Sequence, residues 1–505
     1  MKTTYRTLVT LLLWGACLAT LHARGESARS LTPETPARKA ATRSRGRLPS
    51  GEPGPPDSRT ANCSPAPCVL PPTQASEGGA LVNTSPIVGN PSNPKQLLMG
   101  SNDWNCPEEG GLGFHVSLDG GATWGRTCMT AIQTKDYLYD PGGEPLVGYS
   151  RDGVAYIAGS YSDTETGLSG FEGIEKSYDG IHWSQPTVAL FVPYTFASEP
   201  GLAVDNSLTS PYLGSVYVSA VMIGPPNLQS QNQVTVSHSR DQAKTWNRAA
   251  AESIQTYPAN EGFTSLAVAK DGTVYVAWQH CAGAGPSAGC TDGTGYMVFS
   301  KSTDGGVTWS RPALITAVTI APGACHCYAG DLPNTNDNIA VYNYPAISVD
   351  NSDGPYAGTL YVTGYSWTGT YMRVQVIRST DGGNTWSNPV PVAPAQYTHD
   401  QFFPWISVSP TGLVGVSWLD RRNDPANIDY QAFAAISADG GKSFGENVQL
   451  TTAFSNPNVN GYPFNEWMGD YTGNTWDGPD YFVAAWMDSS NGIDMQEVVG
   501  GIRLK

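Results

Sequence analysis

Apolar and polar residues alternate in short runs along most of this chain. The stretch EGFTSLAVAKDGTVYVAWQ (Glu261–Gln279) shows the unit: an apolar run, a Lys-Asp-Gly turn, and a second run of β-branched and aromatic residues. Runs this short, bounded by turn residues, predict strands rather than helices. The same strand–turn–strand pattern returns in EPGLAVDNSLTSPYLGSVYVSAV (Glu199–Val221), YPAISVDNSDGPYAGTLYVTGYSW (Tyr344–Trp367) and FFPWISVSPTGLVGVSWLD (Phe402–Asp420).

A second motif keeps step with the first. It reads SLDGGATW at Ser117–Trp124, SYDGIHW at Ser177–Trp183, SRDQAKTW at Ser239–Trp246, STDGGVTW at Ser302–Trp309, STDGGNTW at Ser379–Trp386 and SADGGKSF at Ser437–Phe444. Its aspartates, Asp119, Asp179, Asp241, Asp304, Asp381 and Asp439, are spaced by 60, 62, 63, 77 and 58 residues. A fixed period that carries strands marks a propeller or a solenoid. Each unit reads strand A, turn, strand B, loop, strand C, aspartate turn, strand D, which is a four-stranded antiparallel blade. Strand A starts occur near Pro86, Pro145, Gly201, Ser265, Pro345, Pro404 and Gly469, which favours seven blades over six. The last unit shows strands A, B and C alone. Its fourth strand is expected from the segment before Pro86, which would close the ring.

The six motifs resemble the Asp boxes, S/T-x-D-x-G-x-T-W, of the sialidase superfamily, known also as bacterial neuraminidase repeats. The resemblance spans about residues 80–505 and implies an all-β propeller. It is specific for fold and weak for function, because one fold hosts many activities. The turn chemistry is structural: the Asp accepts backbone N–H bonds, the glycines supply positive φ, and the Trp buries a large apolar area between blades.

Charge and composition narrow the setting. Residues 1–60 hold ten Lys/Arg and four Asp/Glu, so the remaining 445 residues hold 18 basic and 40 acidic residues, a formal charge of −22. Such a surface disfavours nucleic acid and anionic membranes. Lys2 and Arg6, then the apolar run Leu8–Leu21 and LHA ending at Ala23, read as an export signal over residues 1–23. Residues 24–80 read as a Pro/Ser/Arg-rich tether, and 81–505 as the propeller. A secreted or periplasmic monomer without a transmembrane anchor is expected. Beyond Cys17 there are eight cysteines, an even count that favours disulfides in an exported chain. The local pairings are Cys63–Cys68, Cys106–Cys128 and Cys281–Cys290, and Cys325 and Cys327 flank His326.

The resemblance implies an active site on the face opposite the aspartate turns, at the starts of strands A and the ends of strands B. There lie Glu144, Glu199, Glu261, Tyr344, Asp400, Glu466, Asp470 and Tyr471, together with Asp103, Trp104, Asp163, His280, Trp367, Asp420, Arg421, Arg422 and Asp488. By resemblance, a sialidase would use three arginines on the substrate carboxylate, a Tyr–Glu nucleophile pair and an Asp acid. The candidates are Tyr471 or Tyr344 as nucleophile, Glu466 or Glu261 as its base, Asp400 or Asp103 as acid, and Arg421 and Arg422 as carboxylate ligands. Adjacent strand-end residues point in opposite directions, so one of the two arginines is expected to reach the axis. Residues 61–505 hold ten arginines, and the Phe/Tyr-Arg-Ile-Pro motif of the superfamily is absent.

Two other readings stand beside this one. A glycosidase could act on neutral sugars with an Asp/Glu pair. A non-catalytic propeller could bind a glycan or glycoprotein, or hold calcium in its acidic mouth. Catalysis is left open. No cofactor is required. His280, beside Cys281, reads as a loop residue rather than a ligand.

Overall fold

The computed structural model describes residues 66–107, 111–135, 137–163, 170–192, 195–224, 231–251, 255–256, 259–282, 290, 293–323, 329–336, 338–459 and 467–505. The export signal, Cys63, Cys325, Cys327 and Glu466 lie outside the described residues. Among the described residues every regular element is a strand.

Seven antiparallel sheets form the seven blades. Blade 1 runs Ile87–Gly89, Leu97–Asp103, Leu112–Ser117, Gly125–Cys128. Blade 2 runs Leu138–Tyr149, Ala155–Asp163, Gly170–Ser177, Thr187–Leu190. Blade 3 runs Phe196–Val204, Val216–Ile223, Gln231–Ser239, Asn247–Ala250. Blade 4 runs Ala259–Val268, Val274–Ala282, Thr294–Ser302, Ala313–Thr319. Blade 5 runs Ala346–Val349, Leu360–Trp367, Met372–Ser379, Val390–Pro391, and blade 6 runs Gln401–Val408, Val414–Asp420, Gln431–Ser437, Val448–Gln449. A hairpin, Ala329–Asp331 with Ala340–Tyr342, stands between blades 4 and 5 and accounts for the long 77-residue spacing.

Blade 7 takes its strands A, B and C from Gly473–Asp477, Tyr481–Asp488 and Gln496–Arg503. Its strand D is Cys68–Gln74, paired antiparallel with the last strand from Cys68↔Arg503 to Gln74↔Val498. The ring is thus closed by residues whose composition assigned them to the tether. An unpaired edge on the last strand would be a template for aggregation.

The core lies between blades. Six of its clusters each join one pair of neighbours, and the aromatic of an aspartate turn packs against each: Trp124, Trp183, Trp246, Trp309, Trp386 and Phe444. Trp386, for example, meets Phe299 of blade 4 edge-on at 5.4 Å. The seventh cluster joins blades 6 and 7 and runs on into the axis. Disulfides Cys106–Cys128 and Cys281–Cys290 are present, and Cys68 is also disulfide-bonded. Such bonds are compatible with an extracellular or periplasmic protein. No described helix is long and apolar enough to cross a membrane.

Candidate functional site

The site follows from a repeated irregularity in strand A. The pairing of strands A and B slips at Gly143/Leu146, Ser198/Gly201, Gly262/Ser265 and Phe402/Trp405. Inside these bulges Glu144, Glu199, Phe263 and Phe403 hold φ of +60°, +55°, +61° and +47°. A left-handed residue without glycine is costly, and a bulge of this kind re-aims its side chain. Thr84 stands at the equivalent place in blade 1, with φ of +68°. In blades 5 and 7, Tyr344 and Tyr471 stand just before strand A.

The aromatics of this ring fill the axis. Tyr471 of blade 7 donates its hydroxyl to the Pro145 carbonyl of blade 2 at 2.5 Å. Tyr344 of blade 5 donates to the Pro200 carbonyl of blade 3 at 3.4 Å. Neither pair of blades is adjacent, so both bonds span the centre. The two rings meet edge-on at 4.8 Å, and Trp405 lies 5.7 Å from Tyr471. Phe263 packs on Tyr344 at 4.9 Å. Both tyrosines are buried, and burial pushes both phenols well above their usual range.

The acids of the ring form an arc from blade 7 to blade 4. Asp470 is partly exposed; its Oδ1 accepts from Trp467 Nε1 at 3.0 Å, and its backbone N–H donates to Thr84 Oγ1 at 3.0 Å. Asn102 Nδ2 also donates to Thr84 Oγ1, and Asn102 Oδ1 accepts the Glu144 N–H at 2.9 Å. Glu144 Oε1 accepts the Glu199 N–H at 2.9 Å, and Glu199 Oε2 accepts the Phe263 N–H at 2.8 Å. Burial, then the Glu144 charge, pushes the Asp470 carboxyl up to about 7. Burial likewise raises Glu144, and raises buried Glu172 well above its usual range. Ser160 Oγ lies within hydrogen-bond reach of both Glu144 Oε2 and Glu172 Oε1. A hydroxyl has one proton, so bonding both carboxyls at once requires one of them to be protonated.

Blade 4 carries a second arrangement. Glu261 is buried; Oε2 accepts from Trp278 Nε1 at 2.6 Å, and Oε1 lies 2.6 Å from His280 Nδ1. His280 is therefore not a loop residue but part of strand B, paired directly with Glu261. No contact joins Glu261 to Tyr344 or Tyr471.

Further candidates sit on blades 1, 6 and 7. Asp400 is buried and accepts from Met372 N (2.9 Å), Asn427 Nδ2 (2.7 Å) and Arg421 Nη1 (3.3 Å). Arg421 is buried too, donates to the Pro333 carbonyl of the hairpin at 2.6 Å, and lies 5.5 Å from the Phe402 ring. Among the described residues its Nε and Nη2 have no partner, and burial lowers its pKa to about 10. Arg422 turns the other way, between Tyr397 and Phe433 at 3.9 and 4.4 Å, and pairs with Asp420 at 2.5 Å. Asp103 is buried, accepts from Asn105 N at 2.8 Å, and faces Arg126 at 3.5 Å. Asp488 caps its own turn through Ser490 N at 2.9 Å.

The six aspartates of the repeat hold turns. Asp381 Oδ1 accepts Thr385 N at 2.9 Å, Oδ2 accepts Thr385 Oγ1 at 2.6 Å, and Ser379 Oγ donates at 2.8 Å. The same bonds recur at Asp119, Asp241, Asp304 and Asp439, with Ser443 replacing Thr in the last. In the shorter turn at Asp179, the carboxylate accepts from the N–H groups of Ile181 and His182. Among the described residues no three His, Cys, Asp or Glu side chains gather as a metal site. Sequence reasoning missed Thr84, Asn102, Glu172 and Trp467. Trp467 stood beside Asp470 in the sequence, but Glu172 sits in strand C with no pattern to mark it.

No family model matches this chain, and no curated protein does. Solved structures match in part. A protein of unknown function from Dyadobacter fermentans shares 14% identity over 72% of this chain and 94% of its own, with a TM-score of 0.45. The intramolecular trans-sialidase from Ruminococcus gnavus shares 11% over 73% and 96%, with a TM-score of 0.45. The α-L-arabinanase from Penicillium chrysogenum shares 13% over 87% and 99%, with a TM-score of 0.44. At such values their substrates do not transfer. The chain is a seven-bladed β-propeller.

Proposed function

We propose that this protein is exported and acts on a neutral extracellular glycan at the mouth of its propeller, with Asp470 as the proton donor in glycosidic cleavage. One observation carries the reading. Asp470, a partly exposed acid on the same arc as Glu144, accepts from Trp467 Nε1 at 3.0 Å, and Trp467 meets Trp104 edge-on at 5.6 Å. Glycosidic cleavage needs a carboxyl that keeps its proton near neutral pH, and a carboxylate partner. The Glu144 charge helps hold the Asp470 proton, and the two part-exposed indoles offer faces to a sugar ring.

The nominal activity of the resembled superfamily, exo-sialidase hydrolysis, fits this mouth less well. A sialoside brings a carboxylate into an arc that already holds Asp470, Glu144, Glu172 and Glu199. All ten arginines of residues 61–505 are described, and only Arg421 and Arg422 stand among the candidates. One is pinned under the hairpin and the other is wedged between aromatics.

A second reading, glycan binding without catalysis, is favoured by the bonds that Glu144 and Glu199 make to the backbone of the next blade. Such acids hold the ring together whether or not a substrate reacts. The deciding experiment measures hydrolysis of neutral glycosides and of a sialoside by residues 61–505, beside Asp470→Asn, with and without calcium. Turnover of a neutral glycoside that Asp470→Asn loses supports the proposal. Glycan binding by calorimetry without turnover supports the second reading. Sialoside turnover overturns the preference for neutral sugars.

A further inference from the structure

Blade 7 and the loop that leaves blade 6 enclose a cavity of about 180 Å³. Asp488 and Gln496 line it as direct partners across strands B and C, and Gln74 lines it as the last residue of the closing strand. Asn491 enters from the loop between strands B and C, and Ala453 from the loop after Val448–Gln449. Asp488 ends strand B, so the cavity opens at the mouth end of the blade.

The lining selects a class of ligand. Three amides face the cavity, and each spends one N–H inside the protein. Gln74 Nε2 donates to the Ser76 carbonyl at 3.0 Å, Asn491 Nδ2 to Asp494 Oδ1 at 2.7 Å, and Gln496 Nε2 to the Ala80 carbonyl at 2.8 Å. An amide carries two N–H donors, so each keeps a second. Among the described residues no Lys, Arg or His lines the cavity. Its one carboxyl, Asp488, accepts from Ser490 N at 2.9 Å and Trp486 Nε1 at 3.4 Å. A carboxylate with no cation beside it disfavours an anionic ligand. One carboxylate is also far short of the about six to eight oxygens that calcium takes. Pro72, Ala453 and Val498 add carbon surface to the amides. Amide donors beside carbon suit an uncharged ligand with many hydroxyl oxygens and a C–H face, which is a neutral sugar. The volume is below the about 300–1,000 Å³ of a pocket for a drug-sized ligand, and so suits one sugar ring.

The cavity is tied to the aromatic pair of the mouth. Gln496 Nε2 and the Trp104 N–H donate to consecutive carbonyls, those of Ala80 and Leu81, at 2.8 and 3.1 Å. Consecutive Cα atoms stand about 3.8 Å apart, so the Gln496 amide and the Trp104 backbone lie within about 15 Å of each other. Resting on the neutral-glycan reading above, we propose that this cavity is a second sugar-binding site, which holds one residue of the same neutral glycan chain that reaches Trp104 and Trp467. A chain held at both points gains from the effective concentration of its second contact. The ligand class is therefore a neutral polysaccharide or long oligosaccharide rather than a disaccharide.

The test uses residues 61–505, which hold every described element. Gluco-, xylo-, manno- and arabino-hexaoses and their monosaccharides are titrated by calorimetry into Asp470→Asn, so that a chain is bound and not cleaved. One hexaose is expected to bind at least about tenfold more tightly than its monosaccharide. Gln74→Ala with Ala453→Leu removes an amide and narrows the rim, and is expected to lower that hexaose affinity by about tenfold. The same two substitutions in the wild type are expected to change turnover of a short aryl glycoside, which occupies the mouth alone, by less than about twofold. Thermal melts confirm folding, and if the double substitution does not fold, Gln74→Ala alone decides. Unchanged hexaose affinity in the folded variant overturns the second site and leaves the neutral-glycan reading standing, as does a hexaose that binds no tighter than its monosaccharide. Neither turnover nor binding of any neutral sugar overturns that reading, and the second site with it.

Discussion

Glu144 Oε1 accepts the backbone N–H of Glu199 at 2.9 Å, and Glu199 Oε2 repeats the act one blade on, accepting the Phe263 N–H at 2.8 Å. Each donor belongs to a left-handed residue inside a bulge. The carboxyl of one blade thus satisfies an N–H that the next blade's bulge has removed from the ladder. Glu199→Ala would leave the Phe263 N–H buried without that acceptor, a loss of about 1–3 kcal/mol. Glu199→Gln keeps an acceptor and is expected to lose clearly less. Urea unfolding of the two variants checks the order.

The acid arc predicts an unusual pH dependence of stability. Asp470 rises to about 7, and Glu144, Glu172 and Glu497 are also raised, all first by burial. A raised acid contributes stability below its unfolded pKa, near 4, that is lost as pH rises through the folded value. For Asp470 that window runs from about pH 4 to 7. The turn aspartates act oppositely: Asp304, Asp381 and Asp439 fall to about 2, and their contribution is lost only as pH drops toward that value. The melting temperature is therefore expected to be higher at pH 5 than at pH 8. Asp470→Asn should gain on the wild type at pH 8, by about 2 kcal/mol, and differ little at pH 4.

Ring closure gives a third expectation. Cys68–Gln74 supplies the outer strand of blade 7, and Thr73 Oγ1 also donates to the Gly121 carbonyl in the aspartate turn of blade 1 at 2.9 Å. Removal of residues 1–75 would bare the edge of Gln496–Arg503, whereas removal of residues 1–62 would leave the closing strand whole. The shorter chain is expected to aggregate or pair through that edge, and the longer one to stay monomeric. Light scattering on the two truncations separates them.

The aspartate turns were legible in the sequence because a carboxylate and a hydroxyl at fixed offsets have one good way to bond. The strands were legible for the same local reason. The role of the axial residues was not, because it depends on register. Tyr344 and Tyr471 look like mouth residues, but their hydroxyls bond across the ring to the Pro200 and Pro145 carbonyls. Glu261 is an acid at a strand start by sequence, and only the pairing Glu261↔His280 shows what it faces. Arg421 and Arg422 lie just past the strand end and meet different partners, Pro333 and Asp420. Strand alternation could not say that Arg421 would meet a hairpin carbonyl.

That hairpin sets the last prediction. Arg421 and Asp400 are both fully buried and pair at 3.3 Å beneath Pro333. Removing one charge of such a pair leaves the other uncompensated, at about 3–5 kcal/mol. Arg421→Met is expected to cost that much, because Asp400 would keep only the Met372 N–H and the Asn427 amide. Asp400→Asn in the same chain removes the stranded charge, so the double variant should be more stable than Arg421→Met alone. A urea-unfolding cycle over the four proteins measures the coupling. If the two changes simply add, Arg421 serves the hairpin through Pro333 alone and its charge is not matched to Asp400. A favourable coupling above about 1 kcal/mol would make the pair the clamp that holds the hairpin over blade 6.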